Sequence, residues 1–274
     1  MISAAIIVFR ETLEAALILG IIAAATVGVP GRGRWLTAGV VAGIAGSLVV
    51  ASMTEQIAGL MAGMGQELFN AAVLGIVVVM LAWHNIWMAG HGAHLAREAK
   101  QLGRDVQAGV KALPILFVVI ALAVLREGSE TVLFLYGMAM GSQEGLLSVL
   151  NGAVLGLSAG AVVGMALYHG FLQIPTRWFF GVTSGLILFL AAAMASHVAR
   201  LLIQSDILPS LASPLWDTSA LLTNDSAIGI LLHTLLGYDA NPAGMQVVFY
   251  IGTLTLILLG MRLASGSTQP IGNR

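Results

Sequence analysis

Seven stretches of this chain stay apolar long enough to cross about 30 Å of hydrocarbon, a distance that takes roughly 20 helical residues. They are Ile2–Val29, Trp35–Leu60, Leu68–Gly90, Ala112–Met140, Leu146–Gly170, Trp178–Gln204 and Gln246–Leu263. A backbone in lipid has no water to bond, so each must close its hydrogen bonds within itself as a helix. With 58% hydrophobic and 9% charged residues, against about a quarter charged in soluble domains, the chain cannot build a water-facing globule. The expectation is an all-α integral membrane protein with seven transmembrane helices, forming one membrane domain over 1–274. The 12 Lys and Arg against 13 Asp and Glu give no basic footprint for nucleic acid. Cys is absent, so there is no disulfide frame and no thiolate metal site. The first stretch is too long and too poor in basic residues for a signal peptide, and is expected to be retained.

Orientation follows from the basic residues between the stretches. Arg32 and Arg34 follow the first; Arg97, Lys100, Arg104 and Lys111 follow the third, in a loop; Arg177 follows the fifth; Arg262 and Arg274 close the chain. These nine share one side, while the second and fourth connections carry none. The N-terminus is therefore expected outside and the C-terminus in the cytoplasm.

The chain also resembles itself. Val8-Phe9-Arg10-Glu11-Thr12-Leu13-Glu14 in the first stretch matches Val124-Leu125-Arg126-Glu127-Gly128-Ser129-Glu130 in the fourth. Gly39, Gly43 and Ser47 in the second stretch, and Gly152, Gly156, Gly160 and Gly164 in the fifth, recur at four-residue spacing. Each set lies on one helix face, where small residues let another backbone come close, within the chain or between chains of an oligomer. Three helices repeated once enter the membrane from opposite sides. The reading is an inverted 3+3 repeat, about 1–110 and 111–204, followed by an outer loop (about 205–245) and one extra C-terminal helix (about 246–264). Inverted repeats are a common transporter architecture, with the substrate held near the midplane where the halves meet.

Arg10, Glu11, Glu14, Arg126, Glu127 and Glu130 put six ionisable groups inside apolar segments. Insertion scales assign roughly 2.5–3.5 kcal/mol to a charge at a helix centre, so such residues are rare and usually functional. Each Arg can reach the Glu four residues on, and the two Glu of each motif share a face. One Arg-Glu-x-x-Glu is expected by chance in on the order of one such chain in a hundred, and two at matched positions far less often. Four carboxylates facing two guanidiniums leave negative charge for a cation, and their hard oxygens suit Mg²⁺, Ca²⁺, Mn²⁺ or Fe³⁺. The alternative is a pair of structural ion pairs that lock two helices together.

At these residues the chain resembles the iron permeases of oxidase-linked high-affinity uptake in fungi and bacteria, whose hallmark is Arg-Glu-x-x-Glu in the first and fourth helices. The second motif fits fully; the first has Thr12 where the family usually has Gly. Trp216-Asp217-Thr218-Ser219 and Gly237-Tyr238-Asp239-Ala240-Asn241-Pro242 also look like the family's outer loop. The resemblance implies iron as substrate, not cofactor, taken as Fe³⁺ from an extracytoplasmic oxidase partner. It implies Glu11, Glu14, Glu127 and Glu130 as the iron-passing carboxylates, supported by Arg10 and Arg126.

Other residues carry weaker expectations. Asp217, Asp225 and Asp239 lie in an outer loop without basic residues and are candidates for collecting cations, or for turn and capping roles. Ala227–Leu236 in that loop reads as a short interfacial helix. Glu55 and Glu67, at the outer ends of the second and third stretches, are candidate entrance carboxylates or simply water-facing. His84, His91 and His94 are placed at the cytoplasmic end of the third stretch; His91 and His94, three apart, suit a shared metal on exit or plain interfacial positions. The tryptophans fall mostly near span ends, as in an aromatic belt. Two other functions are weighed: transport of another divalent cation such as Mn²⁺ or Pb²⁺, and a membrane di-iron enzyme. The latter normally supplies Glu-x-x-His, and no His falls in the two motif segments.

Overall fold

A computed structural model describes residues 1–60, 66–141, 145–169, 176–224 and 226–266. Among them every regular element is an α-helix: α1 (Ile2–Ala25), α2 (Arg32–Leu60), α3 (Gln66–Gln107), α4 (Pro114–Gly141), α5 (Leu146–Tyr168), α6 (Thr176–Gln204), α7 (Ala227–Leu236) and α8 (Gly244–Gly266). Each of the seven apolar stretches is thus a helix, and the short helix expected at Ala227–Leu236 is α7. Among the described residues, five helices are long and apolar enough to cross a membrane: α2, α3, α5, α6 and α8. The protein is an α-helical membrane protein.

Local chemistry sets the boundaries. After α1 the chain turns through Gly28 and Gly31, both at positive φ, around Pro30. The Arg32 guanidinium donates to the Ala23 carbonyl, one of the acceptors left open at the end of α1. Ser226 caps α7 by accepting from the Gly229 N–H (3.0 Å), and Gly237 ends it in the left-handed conformation.

α3 corrects one expectation. Its apolar window closes at His91, yet the helix continues to Gln107, so Arg97, Lys100 and Arg104 lie on a helix and not in a loop. Residues 92–107 are rich in Ala, Leu, Glu, Lys, Gln and Arg, all good helix formers. They also bury Ala99, Leu102 and Val106 against Ile22, Leu36, Leu116 and Ile120. The end of hydrophobicity is therefore not the end of the helix. Lys111 does lie beyond it and pairs with Asp105 at 3.3 Å.

The small-residue stripes govern how the motif helices are held. α1 packs along α5, and α4 along α2. Gly156 and Gly160 lie against Ala5, Val8, Phe9 and Thr12; Gly39 and Gly43 lie against Phe117, Ile120, Ala121 and Val124. Both stripes are therefore used inside the chain. A Cβ on Gly160 would stand 2.8 Å from Thr12 Cβ and 2.9 Å from the Phe9 carbonyl oxygen, whereas one on Gly33 would meet nothing within 4 Å. Gly160→Leu is expected to destabilise the protein by about 1–3 kcal/mol through overpacking, and Gly33→Leu to have little effect. Thermal unfolding of both variants in the same detergent checks this.

The interior is layered. One apolar cluster joins Ile7 of α1, Leu81 of α3, Phe134 and Met138 of α4 and Ile187 of α6. A second joins Ile22 of α1, Leu102 of α3 and Leu116 and Ile120 of α4. Along each of α1, α3 and α4, the stretch between these clusters carries buried ionisable groups.

Candidate functional site

In α1 the i,i+4 spacing brings Arg10 Nε to 3.0 Å from Glu14 Oε1, with Arg10 Nη1 at 3.7 Å from Glu11 Oε1. All three side chains are buried, Arg10 to 1% exposure. α4 repeats the arrangement: Arg126 Nε donates to Glu130 Oε1 at 3.3 Å and stands 3.8 Å from Glu127 Oε1. The third residue of each motif meets the partner helix in a complementary way. Thr12 sits where Gly160 leaves room, and Gly128 leaves room for the Ser47 hydroxyl. Thr12, the departure from the usual motif glycine, is thus accommodated by a glycine on the facing helix.

α3 adds a residue that the sequence reading put elsewhere. His84 is not at a cytoplasmic helix end; it is buried to 3% exposure between the two motifs. Its Nε2 lies 3.7 Å from Glu14 Oε2 and 4.0 Å from Glu11 Oε2, and its Nδ1 lies against Glu130 Oε2. The signal was present: a titratable residue inside an apolar span is the same anomaly that singled out the motif glutamates.

One donor atom from each of Glu11, His84, Glu127 and Glu130 lies within 4.8 Å of the others. Ligands on opposite sides of one ion, with bonds of about 2.0–2.6 Å, are about 4–5 Å apart, so these four fit around a single cation. Among the described residues, ten buried side-chain polar atoms lack a hydrogen-bond partner. Nine of them belong to Arg10, Glu11, Glu14, His84, Glu127 and Glu130; the tenth is Asn85 Oδ1. Apart from the Arg126–Glu130 bond, charges sit close together here with few aligned hydrogen bonds. Buried polar groups are normally satisfied, so a concentration of this kind marks a candidate site.

The two motifs are not equivalent in their surroundings. Arg10 is enclosed, while the Arg126 side chain is 38% exposed and lies 4.1 Å from the centre of the Trp87 ring, a cation–π contact. A cavity of about 460 Å³ adjoins the second motif, lined by Val79, Met80, Trp83, His84, Trp87, Arg126 and Glu130. Trp83 and Trp87 therefore belong to the wall beside the charged layer.

Among the described residues, the sequence candidates His91, His94, Asp217 and Asp239 are not part of this cluster. His91 is exposed and stacks on Trp87 (4.9 Å between ring centres), and exposed His94 pairs with Glu98 at 3.4 Å. Each has its own neighbour on α3. Asp217 accepts from the Ser219 N–H (2.9 Å) and hydroxyl (2.6 Å), bonds that hold its carboxyl below the usual carboxylate range. Asp239 accepts from Asn224 Nδ2 and from the Asn241 N–H, both at 3.1 Å. These two aspartates knit the loop, which is the turn-and-cap role. Asp225 and the side chains of Glu55 and Glu67 lie outside the described residues.

With this geometry in view, comparison with known proteins is informative. A model of the iron permease FTR1 family matches residues 1–267. The chain is 31% identical over 272 residues to a ferrous iron permease EfeU of Escherichia coli, covering 96% of this chain and 98% of that protein. It is 32% identical over 262 residues to the protein of that name from Shigella sonnei (94% of each chain) and 30% identical over 270 residues to the one from Yersinia pestis (96% and 95%). No solved structure matches.

Proposed function

The chain belongs to the iron permease FTR1 family, and on that premise we propose that it carries iron across the membrane through the charged layer shared by α1, α3 and α4. It is a multi-pass membrane protein and a transporter, not an enzyme. The observation that carries the proposed route is the set of unsatisfied buried atoms at Glu11, Glu14, Glu127 and Glu130. Four carboxylates against two guanidiniums leave room for the charge of an incoming ion. In this reading Arg10 and Arg126 keep the site tolerable between ions and yield their carboxylates when iron arrives.

Seven spans follow if α1 and α4 are counted with the five apolar helices. Both are long enough, at 24 and 28 residues, and each is set apart by its Arg and two Glu. The pairing of each motif helix with the second helix of the other half, α1 with α5 and α4 with α2, supports an interlocked inverted repeat. We read 1–110 and 111–204 as the two copies and α8 as the addition, all in one membrane unit. The basic residues favour the N-terminus outside and the C-terminus inside, and an inward-negative potential then favours import by about 2.3 kcal/mol per charge per 100 mV.

Two readings of the oxidation state have support. The carboxylate majority suits Fe³⁺, received from an extracytoplasmic oxidase, as the resemblance implies. The similar proteins are named ferrous iron permeases, and an imidazole beside the carboxylates suits Fe²⁺. Uptake of radioactive iron by proteoliposomes tests both. Wild type should accumulate iron, and Glu11→Gln and Glu127→Gln should not. Supplying the metal as Fe³⁺, or as Fe²⁺ under ascorbate, reads the accepted state. Equal uptake by variants and wild type would return the motifs to structural ion pairs; uptake blocked better by Mn²⁺ or Pb²⁺ than by unlabelled iron would make another divalent cation the substrate.

A further inference from the structure

The four motif carboxylates are chemically alike, and oxygen donors of this kind suit Mg²⁺, Ca²⁺ and Mn²⁺ as well as iron. A site made only of carboxylates separates Fe²⁺ from these divalent ions weakly. His84 changes the donor set. It comes from α3, which packs against both α1 and α4, and so it reaches carboxylates of both motifs: Glu130 of α4 through Nδ1, Glu14 and Glu11 of α1 through Nε2.

His84 meets carboxylates at both ring nitrogens in an interior where it is 3% exposed, with Nδ1 against Glu130 Oε2 and Nε2 at 3.7 Å from Glu14 Oε2. A ring nitrogen does fall within the 4.8 Å span that also holds an oxygen each from Glu11, Glu127 and Glu130. That arrangement has the reach of one coordination shell.

We infer that His84 is the selectivity ligand of this site, joining Glu11, Glu127 and Glu130 around a single ion and biasing the choice toward iron over Mg²⁺, Ca²⁺ and Mn²⁺. The inference rests on the carboxylate layer being the iron path. Imidazole is a good donor to Fe and the later first-row metals, and a site containing nitrogen binds Fe²⁺ more tightly than Mn²⁺. The bias is one of chemistry and not of charge, so it holds against Mg²⁺ and Ca²⁺ ions of the same charge as Fe²⁺.

The test compares wild type and His84→Gln in proteoliposomes, measuring the ratio of Fe²⁺ to Mn²⁺ uptake. The ratio is expected to fall in the variant, because Fe²⁺ gains more from an imidazole donor than Mn²⁺ does and loses more when it is removed. An unchanged ratio in a variant that still transports overturns the role of His84 and leaves the permease reading standing. No iron uptake by wild type overturns the permease reading itself. Pulsed electron paramagnetic resonance on purified wild type with one equivalent of Mn²⁺ gives an independent answer if the variant fails to insert. A nitrogen coupling that changes on nitrogen-15 labelling of histidine, and that Glu127→Gln removes, puts an imidazole on the carboxylate-bound ion. Absence of any nitrogen coupling overturns the inference.

Discussion

Arg10→Leu is expected to destabilise the protein by about 3–5 kcal/mol, the range for removing one partner of a buried ion pair, while Arg126→Leu costs less than about 2 kcal/mol. The two arginines occupy the same position in the same motif, so sequence alone predicts equal effects. Their surroundings differ. Arg10 is 1% exposed, and its loss strands Glu11 and Glu14 in a region with no water to solvate them. Arg126 is 38% exposed beside a cavity of about 460 Å³, where water can replace part of what the guanidinium gives Glu127 and Glu130. What is lost there is a half-exposed pair and a cation–π contact with Trp87, worth about 0.5–2 kcal/mol. Thermal unfolding in detergent, with the amount of each variant in the membrane, reads the difference. Equal losses would mean that the enclosure of Arg10 contributes nothing.

The second large effect is on transport. Glu14→Ala and Glu130→Ala are each expected to lower iron uptake on the order of a hundredfold, with the protein still reaching the membrane. Glu14 and Glu130 are the carboxylates that His84 faces from opposite sides, and each also holds its own arginine. Removing either one takes away an oxygen donor and frees a guanidinium to turn on the remaining carboxylate, which repels the incoming cation. Initial rates of iron uptake per copy of inserted protein measure this. Wild-type rates in both variants would separate these residues from the path.

Much of this was legible in the sequence because lipid is an unforgiving solvent. Apolar stretches of span length could be little else but helices, and the charges in α1 and α4 stood out against them. The four-residue stripes also marked a helix face that packs closely. What could not be read was depth and partner. The stretch after His91 turned polar, which looked like a loop, and yet Ala99, Leu102 and Val106 keep α3 helical by packing on the neighbouring helices. His84 stands inside the third apolar stretch, where its spacing from the motifs gives no sign that it joins them and the donor set reads as carboxylate only. Its helix has Leu81 and not Glu three residues before it, so the di-iron Glu-x-x-His pattern stays absent, and family membership makes the chain a transporter. By composition the acidic outer loop suits either cation collection or turn and capping roles, and Asp217 and Asp239 hold its turns. Composition reports charge; it does not report what each charge is already bonded to.

The two apolar clusters that flank the charged residues along α1, α3 and α4 are close-packed, and packed side chains leave little room between them. An ion that used the charged layer would have to pass where side chains such as Phe134 or Leu116 part, so widening those positions probes the proposed route without touching a single carboxylate.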